Sequence, residues 1–266
     1  MNNEFISIMT ARIVREFDPL HIILFGSQAR EDTDQHSDID LLVVFAELSD
    51  KRKTAIDIMN ALSDLPVAKD IIVSTPEELE RSRTRIGSVL RYAQQEGKVL
   101  WKSWNAAPSK SSQFSGLYEK EENTDIHTVD RFEDTTRWLR YAEEDLITAE
   151  TFLGHPHVPP RQSCWLAQQA AEKILKAALI FLQIDFRRTH DLVELQDMFP
   201  ESWQLKKTHP NLSNLTRWVV EARYPEKIQD ATEAEASEAV KQARAIWTSV
   251  STTLTEHGFQ IEEKDL

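Results

Sequence analysis

Asp38 and Asp40 flank Ile39 at the head of an apolar run that continues to Phe45, and an earlier apolar run from Ile22 ends in Gly26-Ser27. A strand alternates its side chains with period two, so both acids project from one face at its start. Glycine lets the backbone approach a ligand closely, and a chain turning into a helix at Ser27 offers free amides suited to phosphate. Residues 67–73, VAKDIIV, read as another short β-branched strand with one acid inside it, Asp70, which is too costly to bury without a cation. With the two strands side by side, three carboxylates converge. Such a set binds two Mg²⁺ ions about 3.5–4 Å apart, the arrangement for in-line phosphoryl displacement. Each feature also has a plain reading: Asp38 as a strand-end residue, Gly26 as an ordinary turn, Asp70 as a partner of Lys69 or an arginine. Their joint occurrence on strands favours the catalytic one.

The elements that position these residues are helices covering one sheet. Phe5, Ile8, Met9, Ile13, Val14 and Phe17 recur at helical spacing over 4–17, as do Ile56, Met59, Ala61 and Leu62 over 52–63. Thr75-Pro76-Glu77-Glu78 places a capping residue before proline and acids in the first turn, the start of a further helix, so the Asp70 strand ends at about Thr75. Arg81, Arg83, Arg85 and Arg91 then read as a solvated face, with 81 and 85 neighbours on that helix.

The string GSQAREDTDQHSDIDLLV resembles the signature of the DNA polymerase β-like nucleotidyltransferases, and closely their minimal, or MNT, branch. That resemblance spans roughly the first hundred residues. It implies that Asp38 and Asp40 hold both metals and the nucleoside triphosphate, and that Asp70 completes the metal activating the attacking hydroxyl. It further implies that Gly26 and Ser27 grip the outer phosphates, with Arg30 as a planar phosphate-binding fork. Glu31 stands where many relatives carry glycine, a departure that bears on loop shape.

Residues 103–126 replace periodic apolar positions with Ser, Pro, Asn and charge, and read as a linker. Beyond it the chain is helical. Trp138, Leu139, Ala142, Leu146, Ala149 and Phe152 share one face of a helix from about 129 to 153, which Pro156, Pro159 and Pro160 stop. A second helix, about 161–184, is apolar over so much of its surface that it belongs at the centre of a bundle or in a dimer interface. Shorter helices are expected at 190–199 and 211–223, and a long one at 231–257.

This half resembles the HEPN domains, antiparallel helical bundles often found beside or fused to MNT domains. The residues that carry the likeness are Trp138-Leu139, Ala142 and Asp145-Leu146, then Gln168, Ala171-Glu172-Lys173 and Lys176-Ala177, then Thr189-His190-Asp191-Leu192 and Ala222-Arg223-Tyr224-Pro225. Active HEPN ribonucleases typically carry Arg, then four to six residues, then His. Here no histidine follows Arg223 at that distance, and Arg187 and Arg188 precede His190 too closely, which argues against RNA cleavage. Arg188, His190, Arg223 and Tyr224 are the candidates for a nucleotide-binding groove. Thr189 reads as a helix cap, with Asp191 complementing the positive helix end. Lys173 and Lys176 read as exposed or partner-facing, and Asp145 and Glu172 as groups that pair across the bundle.

Composition narrows the partners. The chain has 31 basic and 44 acidic residues, net −13, and a broad nucleic-acid surface is usually basic, so RNA is the less favoured partner. One cysteine, Cys164, excludes an internal disulfide and a cysteine-rich zinc site; among Trp165, Leu166 and Ala167 it reads as a buried small apolar residue. No segment has the length of a membrane span, and the N-terminus has neither a basic stretch nor an apolar signal core, so a cytoplasmic location is expected.

The expected architecture is an α+β nucleotidyltransferase domain at 1–102, a small mixed sheet with covering helices, then the linker and an all-α antiparallel helical bundle at 127–266. The expected activity is Mg²⁺-dependent transfer of AMP from ATP to an acceptor hydroxyl with pyrophosphate leaving. The acceptor is sought on a protein, including a HEPN domain in toxin–antitoxin-like regulation, with Tyr224 as a candidate. A homodimer through the bundle is expected. The alternatives are an aminoglycoside-type small-molecule transferase, a non-catalytic nucleotide-binding and interaction module, and a HEPN ribonuclease toxin.

Overall fold

The computed structural model describes residues 2–30, 38–103, 124–209, 211–221 and 230–260. The chain divides into two compact units, Met1–Asn123 and Thr124–Leu266.

In the first unit α1 (Asn2–Phe17) leads into β1 (His21–Phe25), and a single helical turn, α2 (Ser27–Arg30), follows Gly26 directly. Then come β2 (Ile39–Val44), α3 (Lys51–Ala61), β3 (Lys69–Ser74), α4 (Pro76–Ser82), α5 (Val89–Glu96) and β4 (Lys98–Lys102). The sheet order is β3-β2-β1-β4, with β2 and β3 parallel and the other pairs antiparallel. Alternation divides the apolar side chains between two faces. Ile22, Leu24, Ile39, Leu41 and Val43 pack with Met9 and Ile13 of α1 and Ile58 of α3, while Ile23, Phe25, Leu42 and Val44 pack with Leu79 of α4 and Ala93 of α5. β2 is buried at every position because helices cover both of its faces.

Several details depart from the sequence reading. β4 is not among the expected elements: it is a short, mostly exposed edge strand with lysine at both ends, and its pairing with β1 defines it more than its composition does. α4 stops at Ser82, so Arg81 and Arg85 do not share a helix. Its start agrees with expectation, with Pro76 first and Glu78 Oε2 accepting from the Thr75 backbone amide at 3.3 Å. Glu78 also accepts from Lys51 Nζ at 2.7 Å and Ser74 Oγ at 2.9 Å, tying α4 to α3 and β3. The Lys51 bond is the main cause of a Glu78 carboxyl held below its ordinary range.

The second unit is helical: α6 (Thr124–Phe152), α7 (Pro160–Phe181), α8 (Leu192–Asp197), a 3₁₀ turn at Glu201–Trp203, α9 (Leu205–Thr208), α10 (Ser213–Thr216), α11 (Trp218–Glu221) and α12 (Glu233–Glu256). α6 begins inside the stretch read as linker. A helix, once nucleated, extends through polar residues that carry no apolar period. α7 opens with Pro160 at its first position, where the missing N–H costs nothing, and packs against both α6 and α12. Its buried face includes Cys164, Ala167, Ala171, Ile174, Leu175 and Ala178. Phe132, Phe181 and Phe259 close one end, with ring centroids 5.6–5.9 Å apart. The helix expected over 211–223 is instead two single turns. Among the described residues no helix is long and apolar enough to cross a membrane.

Candidate active site

Asp40 is the second residue of β2, opposite Phe25 on β1 and in register with Asp70 on β3. Residues paired across adjacent strands lie about 4.8 Å apart and point to the same side. Asp40 and Asp70 therefore stand side by side on the face that carries Leu42, Val44 and Ile72, the side covered by α4 and α5. Ile39 packs on the opposite face, so alternation turns Asp38 to the same side as Asp40.

Asp40 is 9% exposed, whereas Asp38 and Asp70 are exposed. That corrects the sequence argument for Asp70, which assumed burial. β3 is an edge strand and its first residues lie at the rim of the sheet, where a carboxylate keeps its water. Among the described residues no group of three or more His, Cys, Asp or Glu side chains is gathered tightly enough to hold a metal ion. The three carboxylates thus share one face and one end of the sheet without forming a closed cage. Their oxygens are the donor type that hard divalent cations take.

Gly26 supplies the clearest local evidence for a built site. Its φ is +72°, a left-handed conformation that favours glycine, and a Cβ placed on it would lie 2.1 Å from Asp40 Oδ2. The space a side chain would fill is taken by the Asp40 carboxylate. Ser27 begins α2 immediately afterwards. Arg30, at the end of α2, donates from Nη1 to Glu96 Oε2 at 2.7 Å, a partner of which no local pattern in the sequence is a sign.

In the second unit the structure joins residues that lie far apart in the chain. Glu172 is buried on α7, its side chain 6% exposed, and its carboxylate accepts from Lys176 Nζ at 2.8 Å and Gln168 Nε2 at 3.1 Å. His190 Nδ1 lies 3.0 and 3.1 Å from the two Glu172 oxygens. Burial raises the Glu172 carboxyl, but the His190 hydrogen bond, the charges of Lys176 and His190 and the Lys176 hydrogen bond outweigh it, leaving it at about 2. An ionised carboxylate only accepts, so His190 Nδ1 carries the proton and Nε2 is the remaining ring nitrogen. Lys176 is buried, 7% exposed, with Nζ 5.9 Å from the rings of both Trp138 and Phe186. The expectation that Lys176 is exposed is therefore wrong: an internal carboxylate one helical turn away compensates its charge. Lys173 pairs with Asp145 across α6 and α7, so Asp145 and Glu172 each pair with a cation.

Asp191, not Thr189, caps α8, accepting from the Val193 and Glu194 amides at 2.9 and 3.4 Å. Thr189 donates to Glu194 Oε2 at 2.9 Å. Arg188 and His190 are both exposed at residue level, while Arg223, Tyr224 and Glu31 lie outside the described residues.

Comparison with known proteins agrees with this division. A model of the polymerase β nucleotidyltransferase domain matches residues 10–103, and a model of the HEPN domain matches 135–253. A protein of Methanocaldococcus jannaschii named "Putative toxin MJ1304" is 30% identical over 134 residues, covering 45% of this chain and 87% of the relative. The chain belongs to the nucleotidyltransferase–HEPN proteins. Solved structures similar to 45% of the chain are TT1696 from Thermus thermophilus, 26% identical over 98% of that protein with a TM-score of 0.39, and the archaeal HEPN homologue ST0689, 25% identical over 97% of it with a TM-score of 0.36.

Within the nucleotidyltransferase domain the matched range contains all of Gly26, Ser27, Arg30, Asp38, Asp40 and Asp70. Within the HEPN domain it contains Gln168, Glu172, Lys176 and His190. The spacing of Gln168, Glu172 and Lys176, each four residues from the next, was the available sign that they form one stripe; the arrival of His190 from beyond the helix end had none.

Proposed function

We propose that this nucleotidyltransferase–HEPN protein is a Mg²⁺-dependent adenylyltransferase that moves AMP from ATP to a protein hydroxyl in a toxin–antitoxin-like setting. The observation that carries the reading is the pairing of Asp40 with Asp70 in register, with the Asp40 carboxylate seated in the space left by Gly26. Asp38, Asp40 and Asp70 would hold two Mg²⁺ ions. Ions held there would supply charge neutralisation for the triphosphate and a lowered pKa for the attacking hydroxyl.

The remaining work falls to this chain's own residues. Gly26 allows the backbone to come close to the outer phosphates, and Ser27 with the first amides of α2 hydrogen-bonds them. Arg30 adds positive charge beside them. The acceptor oxygen attacks the α-phosphorus, the bond from that phosphorus to the α–β bridging oxygen breaks, and pyrophosphate carries away the electron pair. The hydroxyl proton leaves on the Asp70 side of the site. Among protein acceptors Tyr224 of the HEPN domain is one candidate, and the domain is also the candidate homodimer surface.

Purified protein incubated with each labelled nucleoside triphosphate and Mg²⁺, alone and with cell extract, tests this directly. The expected result is pyrophosphate release with ATP and label on protein, both lost in Asp38→Ala with Asp40→Ala at unchanged far-ultraviolet circular dichroism. Unchanged transfer in that variant, or no pyrophosphate with any acceptor pool, overturns it.

A further inference from the structure

The Arg30–Glu96 pair joins two segments that the sequence keeps 66 residues apart. Glu96 is the last residue of α5, whose Ala93 packs with Ile23, Phe25, Leu42 and Val44 on the face from which Asp40 and Asp70 project. The next residue fixes its position. A Cβ on Gly97 would lie 2.2 Å from Ala93 O and 2.4 Å from Ile23 Cγ2, so the backbone there is pressed onto β1, and Lys98 then pairs with Leu24. Glu96 is held at the end of β1 where Gly26 begins. Arg30 comes from the other side of that glycine, on a turn anchored by buried Ala29.

Arg30 engages Glu96 through Nη1, and its Nε is buried with no hydrogen-bond partner. With both side chains about 30% exposed, 28% for Arg30 and 32% for Glu96, such a pair contributes little to stability. What it does is restrict a long side chain. A guanidinium has five donors in a fixed fork, and a carboxylate that takes one leaves the rest of the outer edge for a second anion.

We propose that Glu96 is a positioning residue for nucleotide binding: it holds Arg30 in the orientation that receives the outer phosphates of a nucleoside triphosphate. This rests on the nucleotidyltransferase reading of the Asp38, Asp40 and Asp70 face. Charge and positioning predict opposite signs. A carboxylate near a polyanion repels it, so if charge dominated, removing Glu96 would tighten binding. If positioning dominates, losing the acceptor frees the Arg30 side chain, and binding must then order it.

Calorimetric titration of the full-length protein with ATP and with AMP, each with Mg²⁺, decides between them. Glu96→Ala is expected to weaken ATP binding about fivefold to tenfold, the scale of ordering one long side chain, and to leave AMP binding unchanged. Glu96→Gln keeps an acceptor for Nη1 and should bind ATP within about twofold of wild type on the same scale. In an Arg30→Ala background, Glu96→Ala should have no further effect. Equal or tighter ATP binding by Glu96→Ala overturns the proposal, as does a matching loss for ATP and AMP with a lowered melting temperature. If ATP binding follows this pattern while no Asp38- and Asp40-dependent transfer is found, the positioning role stands and the transferase reading fails. Transfer with ATP binding indifferent to Glu96 overturns the positioning role alone. Absence of ATP binding by the wild-type protein overturns both.

Discussion

At the start of β2, Asp40 is buried against Gly26 while Asp38 and Asp70 stand exposed on the same face; in the core of the HEPN domain, Glu172 is buried with Lys176, Gln168 and His190 around it. Both regions place a carboxylate among apolar side chains. They differ in where the compensation comes from. Glu172 takes a lysine, an imidazole and an amide from its own domain, the condition under which an internal charge is tolerated. On the nucleotidyltransferase face the same end of the sheet carries three acids, Asp38, Asp40 and Asp70, which the proposed function reads as ligands for a cation from outside the chain. The HEPN network thereby reads as a structural device, and under the proposed function the sheet-end cluster is a binding device.

The largest expected effect tests the second half of that contrast. Asp70→Asn should lower the transfer rate by about a thousandfold or more, the scale of losing a group that stabilises transition-state charge, without lowering the melting temperature. Removing one of several like charges relieves repulsion, so stability should stay level or rise slightly. A variant that unfolds more easily would make Asp70 a structural acid and break the comparison.

Glu172→Ala should do the reverse. It leaves Lys176 buried without its carboxylate, and breaking a buried pair by removing one partner costs about 3–5 kcal/mol. Denaturant unfolding would measure it, and the folded fraction should retain its transfer rate. An unchanged unfolding free energy would show that the network contributes nothing, whereas lost transfer at full stability would make it part of the catalytic machinery.

Acid provides a reversible version of the same test. The Glu172 carboxyl lies at about 2 in the folded protein against 4.5 ordinarily. Between those values the unfolded chain binds the proton and the folded one does not, so stability rises with pH through this window. The contribution, roughly 3 kcal/mol, is present in full above 4.5 and is lost as pH falls toward 2. Unfolding free energies across that range should drop more steeply for the wild type than for Glu172→Gln. Parallel curves would remove Glu172 as the source.

The same two regions show what sequence can and cannot reveal. Asp38 and Asp40 were legible because a period of two is a local rule, and α6, α7 and α12 because a helical period repeated over many turns is unambiguous. The register that sets Asp70 beside Asp40 follows the hydrophobic pattern of both strands together, and the edge position that exposes Asp70 depends on a strand order no segment encodes alone. Lys176 was misread because lysine is so rarely buried that the surface is the default expectation. Its stripe with Gln168 and Glu172 was visible, but Trp138, Phe186 and His190 reach it only through the tertiary fold. The short turns after α8 failed for another reason. Over four residues, propensity is too weak to separate one helix from two.

Gly26→Ala is expected to cost less in folding than Glu172→Ala. A left-handed φ of +72° costs an alanine about 1–2 kcal/mol. The atom its methyl group would strike is Oδ2 of Asp40, the mobile end of a short side chain, so the clash is relieved by rotating the carboxylate and not by displacing a strand. The strand pairing of Phe25 with Asp40 then survives while the carboxylate no longer points where Asp70 and Asp38 converge. Thermal unfolding should therefore record a drop of only a few degrees, about 1–2 kcal/mol, beside a much larger fall in transfer rate. An equally modest fall in both would mean that Asp40 finds its position without the glycine, and the space at Gly26 would then belong to the turn and not to the site.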